Sequence, residues 1–127
     1  IEGNDDKAKK VLEKLAHSIS EEKVAVARGD ERMILHVAAV VVSNFSNYLY
    51  KLAQDYCKKE GIDFNSLLPL IEETAGRLRN ISAFASQTGP AIRDDKETIE
   101  KHLALLNNYP ELKKVYLFMT ESILEGK

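Results

Sequence analysis

The chain has 127 residues, of which 18 are basic and 20 acidic, so its formal net charge at pH 7 is −2. This length favours one domain with its own hydrophobic core, and the small net charge gives no electrostatic basis for binding nucleic acid. The one cysteine, Cys57, excludes a disulfide within the chain and a zinc site built on thiolates. The longest apolar run, VAAVVV (37–42), is far shorter than the ~20 residues that cross a bilayer. We therefore expect a cytoplasmic protein that contacts neither nucleic acid nor a membrane.

The first 28 residues predict a helix followed by a strand. Asn4 can cap the helix, apolar residues recur at helical spacing from position 8 to position 19, and EKVAVA (22–27) is a Val-rich strand candidate. One helix and one strand cannot complete an α/β domain, so this segment is expected to be the last unit of a domain that lies mostly outside the chain. The first residues, IEGNDD, lack an initiating Met, which also indicates a fragment or a processed product.

From residue 29 to the end, the pattern predicts helices only. No Gly or Pro interrupts the stretch from Asp30 to about Lys58, which predicts a helix about 40 Å long. The later helices are expected to begin near Asn65 or Ser66, to include a short piece within 79–87, to be capped by Asp94 or Asp95, and to open at Pro110. The predicted fold class is therefore mainly α, a helical bundle built on one long central helix.

The central helix carries a row of polar residues, His36, Ser43, Asn44 and Asn47, within an otherwise apolar sequence. At about 100° per residue, His36, Ser43 and Asn47 fall within roughly 40° of one another, and Asn44 flanks them. The first half of this helix is apolar nearly all round, which predicts burial. Since an unsatisfied buried polar group costs about 1–3 kcal/mol, the row predicts a facing polar group, water or a ligand. The loop SQTGPAIRDD (86–95) is a candidate partner.

Structural roles compete with functional ones at these positions. A histidine within an apolar helix is more often a hydrogen-bonded core residue than a catalyst, and Ser43 can bond to the carbonyl one turn earlier. Periodicity makes a weaker case for His102, and Cys57, in DYCKK, is expected on an exposed turn without a neighbouring base. The sequence has no G-x-G-x-x-G, no P-loop and no zinc-binding histidine spacing, so this chain alone is not expected to bind a dinucleotide or a metal.

Four segments together resemble the C-terminal helical domain, labelled as of unknown function, that follows a Rossmann domain in a family of NAD(P)-dependent oxidoreductases. They are LHVAAVVVSNF (35–45), LLPLIEET (67–74), QTGPAIRDD (87–95) and HLALL (102–106). Many members have Tyr before the His, where this chain has Leu35. The domain is similar in architecture to the C-terminal dimerisation domains of pyrroline-5-carboxylate reductase and of the 6-phosphogluconate dehydrogenase group. The resemblance implies that residues 1–28 close a truncated Rossmann domain and that residues 29–127 form a helical substrate and dimerisation domain.

The resemblance also implies an active site in the cleft between the Rossmann and helical domains. The residues that it carries over are His36, Ser43 and Asn44 as catalytic residues, and Asn47, Thr88, Gly89, Pro90 and Arg93 as substrate-binding residues. His36 would supply or remove a proton, and Arg93 would pair with a substrate carboxylate. The implied reaction is hydride transfer to or from a small carbonyl, imine or alcohol. NADP or NAD would bind to the parent protein and not to this chain alone.

The alternative function is a non-catalytic helical module for dimerisation or for binding as an adaptor. In that case the polar row would lie between subunits. A long apolar helix exposed on one chain usually pairs with another, so a homodimer is expected under either function. These residues do not identify the small-molecule substrate.

Overall fold

The computed structural model describes the backbone of residues 6–19 and 29–126 and the side chains of residues 6–14 and 30–126. The regular structure in these ranges is helical and includes no strand, which confirms the predicted mainly α fold class. The N-cap candidate Asn4 and the strand candidate EKVAVA (22–27) lie outside the described residues, so the domain boundary after residue 28 stays a prediction. The chain forms two compact units, Ile1–Tyr48 and Leu49–Lys127, and each is described by itself.

The first unit contains helix α1 (Asp6–Ile19), helix α2 (Gly29–Ala39) and a π-helical segment, Val40–Phe45. The π segment continues directly from α2 into helix α3 (Ser46–Lys59), because Ala39 and Ser46 on its two sides both have α-helical φ and ψ angles. The uninterrupted helix predicted from Asp30 to about Lys58 is thus confirmed in extent. Its interior differs from the prediction, since its middle is a π helix.

The stretch Asp30–Lys59 is long and apolar enough to cross a membrane by length and composition, and it is the one such helix among the described residues. An 18-residue window within it has a mean hydropathy of 1.3. A helix buried in a protein core can have the same length and composition, so this finding is weak evidence for a membrane span. The apolar part of this helix is nevertheless longer than the run VAAVVV (37–42).

The second unit begins within α3. Its other elements are a 3₁₀ turn (Phe64–Leu67), α4 (Leu68–Arg77), α5 (Ala83–Ser86), α6 (Lys96–Leu105), a second 3₁₀ turn (Leu106–Asn108) and α7 (Pro110–Glu125). Asp95 caps α6, and Pro69 and Pro110 lie in the first turns of α4 and α7, where a missing N–H costs little. The predicted starts at Asp95 and Pro110 are confirmed, and Gly126 follows the last residue of α7 as expected. Asn65 and Ser66, where a helix was expected to begin, lie in the 3₁₀ turn, and α4 begins at Leu68.

The core of the second unit is small. Its most buried apolar side chains, each at most 9% exposed, are Leu52, Cys57, Ala91, Ile99 and Leu106. The expectation that Cys57 lies on an exposed turn is wrong, because α3 extends beyond it to Lys59 and leaves its side chain 7% exposed. Cys57 lies one turn after the half-buried Ala53, so both residues belong to the inner face of α3.

Candidate functional site

Ser43 and Asn44 lie in the π-helical segment of the first unit. In a π turn the backbone hydrogen bond runs from residue i to residue i+5, and such turns are rare in proteins and frequent at functional sites. His36 lies in the last turn of α2, before this segment, and Asn47 lies in the first turn of α3, after it. The four site residues predicted in the first unit therefore lie in or beside one irregular turn.

The π segment alters the alignment that the sequence predicts for the polar row. That prediction assumes about 100° per residue along the whole helix. A π turn holds roughly one more residue than an α turn, so it rotates the residues after it by up to about 100° relative to those before it. His36 lies before the π segment, Ser43 within it and Asn47 after it, so the angles between His36 and the other two differ from those of a regular α helix. The π segment therefore changes the angular spacing that the sequence predicts for this row, and the row as a site stays a prediction.

The first half of the long helix is exposed, which corrects the burial that its all-round apolar sequence predicts. Val42 is 72%, Ile34 is 69% and Met33 is 61% exposed. The side chains of His36 and Asn44 are exposed as well. An apolar sequence indicates that a helix is more stable when it is covered, but it does not indicate which molecule covers it. In this chain the polar residues can bond to water, so they have no desolvation cost to offset.

The loop between α5 and α6 in the second unit has a defined backbone. Gly89 has a φ of 108° and Asp94 a φ of 53°, both in the left-handed region. The N–H of Asp95 donates to the carbonyl oxygen of Pro90 at 2.9 Å, and the N–H of Asp94 donates to that of Ala91 at 3.1 Å. These hydrogen bonds place the Thr88-Gly89-Pro90 sequence next to the start of α6, and the side chain of the following residue, Ala91, is buried.

Asp95 connects this loop to α6. Thr98 donates its hydroxyl to the carboxylate of Asp95 at 2.8 Å and its N–H at 3.1 Å. The bond from the hydroxyl, followed by the bond from the N–H, holds the pKa of Asp95 below its usual value, and the positive charge of Arg93 adds to this effect. The side chain of Arg93 is exposed, as is required of a group that pairs with a ligand carboxylate.

Thr88 and Pro90 line a cavity of about 280 Å³ within the second unit. Helix α7 forms much of its wall through five side chains, Val115, Tyr116, Met119, Thr120 and Ile123. Pockets for small ligands begin at about 300 Å³, so this space suits one side group of a ligand. Gly89 and Arg93 are not among its lining residues. Two of the four loop residues predicted to bind substrate therefore border a space that a ligand group can enter.

A hydrogen-bonded group that the sequence reasoning did not identify lies on α6 and α7. Nδ1 of His102 is 2.8 Å from the hydroxyl of Tyr116, and the two rings meet edge to face with their centroids 5.7 Å apart. Burial raises the pKa of Tyr116, and a hydrogen bond with the Thr120 side chain partly offsets that rise. Helical periodicity places each residue on an inner face, but only the packing of α6 against α7 brings the two side chains together.

The predicted site residues divide between the units. His36, Ser43, Asn44 and Asn47 lie in the first unit, and Thr88, Gly89, Pro90 and Arg93 lie in the second. Across the described ranges, no three side chains of His, Cys, Asp or Glu are placed to hold a metal ion. The chemistry that these residues offer is therefore hydrogen bonding, proton exchange and pairing with an anion.

The chain is similar to a protein of solved structure from Bacteroides fragilis that is described as a "putative NADP oxidoreductase". The two share 36% sequence identity with a TM-score of 0.91, and the match covers 98% of this chain and 48% of the other. The chain thus spans about half the length of that protein. Among curated proteins, none matches this chain significantly. The resemblance to a helical domain of unknown function is confirmed, because residues 1–123 match the family described as domain of unknown function DUF2520, and the chain belongs to that family.

Proposed function

We propose that this chain is the C-terminal domain of an NAD(P)-dependent oxidoreductase, where it forms one wall of the substrate cleft and the dimer interface. The observation that carries the proposal is the exposed π turn, which presents Ser43 and Asn44 from within an exposed apolar helix. The similarity of 98% of the chain to about half of a protein described as a "putative NADP oxidoreductase" supports the reaction class. NADP or NAD would bind to the rest of the parent protein.

Each polar residue of the first unit has a role in this reaction. The nicotinamide of the parent supplies or accepts the hydride at the carbon of a small carbonyl, imine or alcohol. An imidazole can donate or accept a proton, so His36 gives a proton to the substrate heteroatom during reduction and takes it back during oxidation. The hydroxyl of Ser43 and the amide of Asn44 orient that heteroatom by hydrogen bonds, and Asn47 extends the same polar surface.

The loop of the second unit, taken by itself, offers groups that suit a substrate with a carboxylate. Arg93 is exposed and can form two parallel hydrogen bonds with a carboxylate. A Cβ at Gly89 would meet no atom within 4 Å, so the backbone at this point is open to a close approach by the ligand. Thr88 and Pro90 border the adjoining cavity, which would accept an apolar group of the substrate.

Steady-state kinetics of the complete parent protein test this proposal. We expect His36→Gln to lower kcat/KM by about 10²-fold, the lower end of the contribution of a general acid or base, and Asn44→Ala to lower it by about 10²-fold, the lower end for a positioned hydrogen-bond donor. Oxidation of NADPH or NADH with a panel of small carbonyls and imines is the assay. Glu100→Gln, at an exposed position of α6 outside the proposed site, is the matched control. Unchanged kinetics in both site variants would show that the π turn does not contact the substrate.

A non-catalytic dimerisation or adaptor module is the second candidate. The observation that favours it is the exposure of apolar side chains along Met33–Phe45, where Val37 is 59% and Phe45 is 58% exposed. The two candidates differ in one outcome. An adaptor would associate through this surface in a parent protein that transfers no hydride to any substrate of the panel.

A further inference from the structure

The second unit contains another cavity, of about 340 Å³, that none of the proposed substrate-binding residues lines. Its lining comprises three aromatic rings and three leucines, namely Tyr56, His102, Tyr116, Leu105, Leu106 and Leu112. An apolar cavity of about 150 Å³ holds benzene, so this space accommodates a molecule with one ring and a small substituent. No charged carboxylate or ammonium group is among these lining residues, which disfavours a charged ligand.

The imidazole of His102 is oriented by a chain of hydrogen bonds. The side chains of Thr120 and Tyr116 are hydrogen-bonded, as are those of Tyr116 and His102. Nδ1 of His102 is 2.8 Å from the hydroxyl of Tyr116, and in the arrangement that we infer this hydroxyl donates its hydrogen to Nδ1. When Nδ1 of a neutral imidazole accepts a hydrogen bond, its hydrogen is on Nε2. This arrangement makes Nε2 of His102 a donor.

That donor has no partner among the residues that the structure describes, since the hydrogen bond of His102 is the one to Tyr116. The side chain of His102 is only half-buried, so a ligand can reach it. Tyr56, on α3, forms another part of the cavity wall. Its ring packs edge to face on Tyr109, with the ring centroids 4.8 Å apart. Leu105 is 64% exposed and provides an accessible edge to the cavity.

We propose that this cavity is a binding site for a small, uncharged, single-ring molecule that carries one carbonyl oxygen, to which Nε2 of His102 donates a hydrogen bond. The aromatic rings and leucines would contact the ring of the ligand, and the His102 donor would select for the carbonyl. The site contains none of the proposed catalytic and substrate-binding residues, although Leu112 and Tyr116 also line the cavity beside Thr88 and Pro90.

Titration of the chain with acetophenone, followed by NMR, tests this site. We expect saturable shifts at His102 and at the leucines of the cavity, with a dissociation constant on the order of 1 mM. Ethylbenzene, which has the same ring and no carbonyl, should bind about fivefold more weakly, since one neutral hydrogen bond is lost. The nitrogen shifts of the imidazole should also show hydrogen on Nε2 in the free chain.

Two variants and one control locate the binding. His102→Phe should reduce the affinity for acetophenone about fivefold and leave the affinity for ethylbenzene unchanged. Leu105→Trp should fill the cavity and abolish the binding of both probes. Leu70→Trp, at a position of α4 that is 58% exposed and lines neither cavity, should bind both probes as the unaltered chain does.

Three results would overturn the proposal. They are the absence of saturable shifts at the cavity, equal affinities for the two probes in the unaltered chain, and normal binding by Leu105→Trp. Because Leu105 is exposed, that variant tests the site even if His102→Phe does not fold. The assay involves no nicotinamide and no turnover, so failure here is distinct from failure of the proposed oxidoreductase function.

Discussion

Replacement of Val42 by Lys should dissociate the homodimer that we propose to form through the exposed apolar helix. Val42 is 72% exposed within the π segment, and its neighbours Val41 and Phe45 are 49% and 58% exposed. Burial of a Val side chain contributes about 1.5–3 kcal/mol. A two-fold dimer contains each substitution twice, so the loss is about 3–6 kcal/mol, or about 10²- to 10⁴-fold in the dissociation constant. Desolvation of two ammonium groups would add to this loss.

Sedimentation equilibrium over a range of concentrations measures this change. The unaltered chain should be a dimer at micromolar concentration, and Val42→Lys should be a monomer there. Val42→Thr, which keeps the shape of the side chain but replaces one methyl group by a hydroxyl, should fall between them. Glu100→Lys adds positive charge at an exposed position of α6 and should leave the dimer intact. Circular dichroism checks that each variant keeps its helix content.

Two outcomes would refute this reasoning. A monomeric unaltered chain at tens of micromolar would contradict the dimer itself. A Val42→Lys variant that dimerises as strongly as the unaltered chain would place the interface on another surface. If the stretch Asp30–Lys59 instead crossed a membrane, the unaltered chain would require detergent to stay in solution, and Val42→Lys would reduce its insertion.

Two further predictions concern the second unit. A Cβ at Gly89 or at Gly76 would meet no atom within 4 Å. Gly89→Ala should therefore add only the backbone strain of a φ of 108° and lower the free energy of unfolding by about 1–2 kcal/mol. Gly76→Ala, within α4, should raise the free energy of unfolding by about 0.5–1 kcal/mol. Urea denaturation measures both changes, and effects of the same sign would contradict the difference in backbone conformation. The hydrogen bond from the Tyr109 hydroxyl to the Glu60 carboxylate raises the pKa of Tyr109 to about 12. Tyr109 should therefore ionise well above the ordinary value of 10.0, and Glu60→Gln should return its pKa towards that value. Ultraviolet absorbance of the phenolate follows this titration, and identical curves for the two proteins would show that the bond does not form in solution.

The ends of the helices were predictable from the sequence because local chemistry determines them. Asp95 can cap a helix with its own side chain, and Pro110 suits a first turn because it lacks an N–H. The π segment was not predictable in this way. VVVSNF has the same apolar character as the helix around it, and a change from i+4 to i+5 bonding has no signature in composition.

Contacts between helices could not be predicted from helical periodicity, for a different reason. His102 and Tyr116 are on separate helices, and the angle at which α6 packs against α7 decides whether their side chains meet. The same limit applies to burial. The apolar pattern of residues 33–45 indicates that this helix is more stable when another surface buries it. The exposure of these side chains shows that the described part of this chain does not bury them. The identities of the candidate site residues came from the resemblance to a family, and their roles stay predictions.

The π segment itself offers a test of why the polar residues occupy this turn. Deletion of Val41 removes one residue from the segment, which should convert the wide turn into a regular α turn. The helix after it would then rotate by about 100° relative to His36, and the separation between His36 and Ser43 would change. If the turn serves catalysis, the deletion should abolish turnover in the parent protein, while urea denaturation of this chain shows no loss of stability. Deletion of Ala53 is the control, because it shifts Cys57 relative to Leu52 in the core and should destabilise the chain. Full turnover after deletion of Val41 would contradict a positioning role for the π turn, and a large loss of stability in this chain would show that the turn is needed for the fold.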